Sequence, residues 1–97
     1  MDHSEKALIV AYYLKSRLPK IAIDHEWDSK LRIEWYFIKY KKQNVRMVIP
    51  NGFFDSLNEH EIKTKLENLR LADCIQNLET EYIVINNTGM SIETFWI

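Results

Sequence analysis

Three acids alternate along one short stretch, Asp24, Glu26 and Asp28, interleaved with His25 and Trp27. Extended backbone with this spacing projects the three carboxylates to one side and His25 and Trp27 to the other. Carboxylates gathered in this way suit oxygen ligation of Mg²⁺ or Ca²⁺, or form a negative row facing a basic partner. A solvated edge or loop is the third use and needs no ligand at all. Like charges two apart repel, so the row calls for compensation from a cation or from Lys30 and Arg32.

Other chemistry-bearing residues do not assemble into a site. His3, His25 and His60 lack a metal-ligand spacing such as His-x-x-x-His, and the lone Cys74 has no second thiol nearby. A Cys/His nucleophile needs an orienting group and an oxyanion donor, and nothing marks either. Cys74 reads as a small core hydrophobe. Two glycines leave no room for a phosphate-cradling loop. No catalytic residue, metal site or cofactor is assigned, and the expectation is a protein that is not an enzyme.

The most informative surface lies on the clearest strand, Leu31 to Lys41. Its odd positions Leu31, Ile33, Trp35 and Phe37 are apolar and are expected to face the core. Arg32, Glu34, Tyr36, Ile38 and Tyr40 then point outward, joined by Arg46 and Val48 of the next strand. Solvated sheet faces are usually built from Thr, Lys, Glu and Ser, whereas aromatic and Arg side chains are enriched at interfaces. Arg32, Tyr36, Ile38, Tyr40 and Arg46, with Asp24, Glu26 and Asp28 added for steering, are the candidate partner-binding residues. Lys39, Lys41 and Lys42 flank the hairpin tip and support a second use, in which tyrosines among cations stack on unpaired bases.

Other elements must position these residues. A helix begins near Ser4, with Leu8, Ala11 and Tyr12 on one face widened by Ile9, Val10, Tyr13 and Leu14, and Pro19 stops it. Residues 21–27 read as a short strand and Asp28-Ser29-Lys30 as a turn. Lys42-Gln43-Asn44 turns the chain into the strand Val45 to Ile49, whose odd residues face inward, and Pro50-Asn51-Gly52 ends that hairpin. A second helix runs from about Asn58 to Leu71, with capping boxes available as Ser56/Glu59 or Asn58/Glu61 and a buried stripe of Ile62, Leu66 and Leu69. Residues 72–78 either extend it or form a loop plugging the core with Ile75 and Leu78. A hairpin closes the sequence, Glu81 to Asn86, a turn at Asn87-Thr88-Gly89, then Met90 to Trp96.

The expected fold is α+β, one domain over residues 1–97, with two helices on an antiparallel sheet of four or five strands. The sequence has 97 residues, of which 46% are hydrophobic and 28% charged. It has no apolar run long enough to span a bilayer and no signal-like N-terminus, so a cytoplasmic location is expected. The net charge of −1 conceals ten basic residues against six acids in residues 1–50, and three against eight in 51–97. This asymmetry suits either a basic binding face or two halves that pack together. The apolar end, Phe95-Trp96-Ile97, suits an inner strand or a homodimer through the C-terminal strand.

Size, element order and a high Ile, Lys and Asn content resemble small bacterial or phage proteins that work by docking, such as immunity proteins and inhibitors. The likeness carries no motif and assigns no residue. The expectation is an inhibitor, immunity or adaptor-type protein whose partner is another protein, a basic one if the acidic row takes part. Single-stranded nucleic acid is the alternative partner.

Overall fold

The computed structural model describes residues 3–55, 57–77, 82–86 and 89–93. Helix α1 (His3–Arg17) is followed by β1 (Ala22–Asp28), β2 (Ile33–Tyr40) and β3 (Gln43–Pro50). Three short helices follow, α2 (Asn51–Phe54), α3 (Glu59–Asn68) and α4 (Leu71–Asn77), and then β4 (Tyr82–Asn86) and β5 (Gly89–Glu93). The class is α+β, as expected. The strands form one sheet in sequence order, β1 to β5.

One pairing corrects the antiparallel expectation. The β3–β4 pair is parallel, while the other three pairs are antiparallel. A parallel pair needs a crossover, and α2, α3 and α4 provide it by carrying the chain across the sheet before β4. The helix count also differs from two. Asn51 and Gly52 open helix α2 instead of a free turn, which buries Phe53 and Phe54 at the centre of the core. The sequence reading passed over both phenylalanines, although two adjacent aromatics are a large apolar payload.

Local chemistry explains the breaks. Asn58 caps α3 as a complete capping box, its side chain accepting from the Glu61 N–H while Glu61 accepts from the Asn58 N–H. The competing Ser56 lies outside the described residues. Arg70 adopts a positive φ of 54°, ending α3 and allowing α4 to start in a new direction. Residues 71–77 are therefore a separate helix, and Ile75 plugs the core as expected. Leu78 and the expected turn at residues 87–88 fall outside the described residues, as do residues 94–97.

The core lies between the helices and one face of the sheet. Ala7, Val10 and Leu14 of α1, Ile62 and Leu66 of α3, and Ile83 and Ile85 of β4 are buried together. Leu8 and Tyr12, expected on the buried face of α1, are exposed instead. The buried stripe runs through Ala7, Val10, Leu14 and Leu18, widened by Ile9 and Tyr13. Each of the larger side chains, Val10, Leu14, Leu18 and Ile9, contributes roughly 1.5–3 kcal/mol when fully buried. Lys6 Nζ donates to the Phe54 carbonyl at 2.7 Å, and Arg17 pairs with Glu67, tying α1 to α2 and α3. Cys74 packs half-buried against this core, and burial pushes its thiol pKa up, as suits a packing role.

Strand β2 reverses the expected orientation. Tyr36, Ile38 and Tyr40 face the helices and are buried, as is Glu34, while Ile33, Trp35 and Phe37 lie on the other side. The hairpin turn is the cause. Tyr40 pairs with Gln43, leaving only Lys41 and Lys42 in the loop, so even residues of β2 sit opposite odd residues of β3. A three-residue turn at 42–44 would have paired odd with odd. One residue of register exchanges the two faces of a strand. Tight two-residue hairpin loops require positive φ, and Lys41 supplies it at 56°.

Candidate functional site on the open sheet face

The described helices all pack on one face of the sheet. The opposite face carries the other side-chain row of each strand. From β1 come Asp24, Glu26 and Asp28; β2 adds Ile33, Trp35, Phe37 and Lys39, and β3 adds Arg46 and Val48. Tyr82 and Val84 of β4 continue it, half-buried. Its geometry follows from the register. One row crosses the strands as Asp24, Phe37, Arg46 and Tyr82, and the next as Glu26, Trp35, Val48 and Val84.

Aromatic side chains dominate the middle. Phe37 is 42% exposed, which leaves an unusual amount of aromatic surface in water for a strand interior. Trp35 meets Tyr82 edge-on with ring centroids 6.5 Å apart. The face thus has aromatic side chains at its middle, acids along the β1 edge, and Arg46 between Phe37 and Tyr82.

The acidic row borders this centre, on a strand at the edge of the described sheet. Asp24, Glu26 and Asp28 face Phe37, Trp35 and Ile33 across the strands, so none has a cation directly opposite it. Among the described residues, neither Asp24 nor Glu26 forms an ion pair. Asp28 has a local task. Its Oδ1 accepts from the Lys30 and Leu31 N–H groups at 3.0 Å each and thereby closes the turn to β2. The Leu31 bond first, then those from Lys30 and the Trp35 side chain, holds its carboxyl below the ordinary aspartate value. The three carboxylates converge on no ion position. Among the described residues no group of three or more His, Cys, Asp or Glu could hold a metal.

Two grooves flank Phe37. One encloses about 490 Å³ and is lined by Glu26, Asp28, Lys30, Trp35, Phe37 and Arg46, among others. The second, of about 350 Å³, is lined by Asp24, Phe37, Lys39 and Arg46 together with neighbouring residues. Both are open, shallow surface features between strand side chains.

The remaining predicted site residues separate. Tyr36, Ile38 and Tyr40 belong to the core and present no surface, which corrects the expectation that they face outward. Tyr36 is fully buried, and its hydroxyl donates to the Ala7 carbonyl at 2.8 Å. Burial, with the charge of Glu34 added, pushes that hydroxyl well above the ordinary tyrosine range. Arg32 sits in the turn before β2 with φ 57°, its carbonyl accepting from the Asn51 N–H. Leu31, expected in the core, is 64% exposed on that same turn. Arg46 does lie on the open face. Lys39 joins it there, while Lys41 and Lys42 form the hairpin tip, with the Lys41 ammonium 5.4 Å from the Tyr40 ring centroid.

Sequence reasoning missed the group formed by His25, Glu34 and Tyr36. His25 Nδ1 is 2.7 Å from Glu34 Oε2, and the imidazole stacks on Tyr36 with centroids 5.8 Å apart. An imidazole held by a carboxylate is a component of acid–base sites. Here both residues sit against the core side of the sheet, and neither lines the two grooves beside Phe37. The pair links β1 to β2 on the face opposite the grooves. Its trace in the sequence is the acid Glu34 in a row otherwise made of Tyr36, Ile38 and Tyr40.

No helix among the described residues is long and apolar enough to cross a membrane. The chain matches no protein-family model, no curated protein and no solved structure, so the reading of this face rests on its own geometry.

Proposed function

We propose that this protein acts by docking to another protein through the open sheet face, as a non-enzymatic inhibitor, immunity or adaptor-type domain. The observation that carries this reading is the exposed Phe37, set beside Trp35, with Asp24 across from it on β1 and Arg46 across from it on β3. Aromatic anchors at the centre of a patch, with charges at its rim, are where binding free energy concentrates in protein interfaces. Tyr36, Ile38 and Tyr40 drop out of the binding set, and Trp35 and Phe37 replace them.

A photo-crosslinking amino acid placed at position 37, in the cells that make the protein, tests this. A covalent adduct of discrete mass is expected from position 37 and not from the exposed Lys20, on the loop before β1. Equal labelling from both positions, or no adduct at 37, rejects the proposal.

Nucleic acid is the second reading, favoured by one observation. Lys39 and Arg46 line the same groove as Phe37, so cations and a stacking surface coincide. Asp24 and Glu26 on the same face oppose phosphate. A mobility shift with single-stranded RNA at low salt that fades steeply as salt rises supports this reading, and no shift rejects it.

A further inference from the structure

The edge of β1 and the acidic row belong to one and the same strand, and together they restrict what can dock there. β1 pairs with β2 on one side only, and no described strand pairs with its other side. Such an edge presents backbone donors and acceptors to any extended segment of matching register. A strand added there places every second side chain about 4.5–5.5 Å from Asp24, Glu26 or Asp28 on the open face. The alternate side chains lie beside Ile23, His25 and Trp27 on the other face, where Ile23 and His25 are half-buried and Trp27 is exposed.

Charge then selects the occupant. A second copy of this chain pairing along β1 about a two-fold axis sets acids against acids, because even positions meet even positions. Like charges directly opposite each other destabilise a strand pair. The row therefore works against self-pairing, as edge charges do in natural sheets. It favours a strand with cations at the same spacing. The groove behind the row supplies the rest, since a long basic side chain passing Glu26 enters a groove lined by Glu26, Asp28, Trp35 and Phe37, with Lys30 and Arg46 also on its walls. Guanidinium groups both pair with carboxylates and stack on aromatic rings.

Building on the docking reading above, we infer that the partner presents an extended segment alternating Lys or Arg with apolar residues, and that this segment adds to the edge of β1. Its basic side chains lie over the row of Asp24, Glu26 and Asp28 and into the groove against Trp35. Its apolar side chains cover Ile23 and Trp27.

Panning a phage library of random nine-residue peptides on the full-length protein provides the test, with affinities of selected synthetic peptides read from tryptophan fluorescence. Enriched peptides are expected to carry Lys or Arg at every second position. Binding is expected to weaken at least tenfold in the Asp24→Lys, Glu26→Lys double variant, whose unchanged circular dichroism shows that it is folded. Methylating alternate backbone nitrogens of a selected peptide is expected to abolish binding in one phase and spare it in the other. No enrichment, enrichment without basic periodicity, or indifference to the double charge reversal overturns the inference. Aperiodic peptides that still lose binding on Phe37→Arg would leave the open face as a docking surface and remove only this occupant. Peptides indifferent to both substitutions would remove both.

Discussion

His25 Nδ1 lies 2.7 Å from Glu34 Oε2, and this contact joins the edge strand to its neighbour on the core side of the sheet. The two are diagonal partners, since His25 sits opposite Tyr36 and Glu34 opposite Trp27. The Glu34 side chain is 3% exposed, so its carboxyl oxygens depend on the partners the fold gives them. The contact spans β1 and β2 on the face opposite Asp24, Glu26 and Asp28.

Removing Glu34 takes from His25 the carboxylate it pairs with. Glu34→Ala is expected to destabilise the protein by about 2–4 kcal/mol, because His25 loses its partner and a cavity remains. His25→Phe combined with Glu34→Leu is expected to stay within about 1 kcal/mol of wild type, since both polar groups leave together. Urea denaturation of the three proteins checks this, and an Ala variant as stable as wild type contradicts it.

Tyr36→Phe leaves the Ala7 carbonyl without its 2.8 Å donor and is expected to cost about 1 kcal/mol. The pH dependence has a definite sign. Burial raises the hydroxyl pKa in the folded state, so the neutral form is favoured by folding. The stability this confers is fully present below the unfolded value of about 10 and is lost as the pH rises from there towards the folded value. Alkaline unfolding midpoints should therefore shift upward in Tyr36→Phe relative to its stability at pH 7.

Substitutions on adjacent residues of β2 separate the two faces. Ile38→Ala, at a buried position, is expected to cost about 2–4 kcal/mol. Phe37→Ser, one residue away on the open face, is expected to change stability by no more than about 1 kcal/mol, a surface-like effect. Thermal melts would show the reverse order if Trp35 and Phe37 were the core.

Lys41 occupies the left-handed region at φ 56°, which strains a residue with a β-carbon by about 1–2 kcal/mol. Lys41→Gly relieves that strain, and a gain of a few tenths to about 1 kcal/mol is expected after the entropic cost of glycine. Lys41→Val should lose stability, β-branching being least compatible with positive φ. Equilibrium unfolding in guanidinium decides the sign.

Asn58→Ala removes the capping box of α3 and is expected to cost about 1 kcal/mol, read as a lower melting temperature. Asn58→Asp keeps an acceptor and should retain most of that stability.

Several elements were legible in the residues themselves. The Asn58/Glu61 pair announces the start of α3, and Pro19 marks the end of the first helix region. The alternation of Asp24, Glu26 and Asp28 places all three on one face, as the pairing of β1 bears out. Val45, Met47 and Ile49 read as inward and are buried. Each of these signals is local, carried by side chains within a few residues of one another.

Strand β2 was not legible in this way. Ile33, Trp35 and Phe37 form one apolar row and Tyr36, Ile38 and Tyr40 form another, so alternation alone selects neither for the core. The tight loop at Lys41 and Lys42 settled the matter by pairing even residues of β2 with odd residues of β3. The parallel β3–β4 pair likewise depends on three helices crossing the sheet together. The amino-acid sequence by itself determined an α+β class, the capping box of α3 and an acidic row beside an aromatic strand. Which aromatic row meets solvent was decided only in the tertiary structure, because a single residue of hairpin register turns every side chain of a strand to the opposite face.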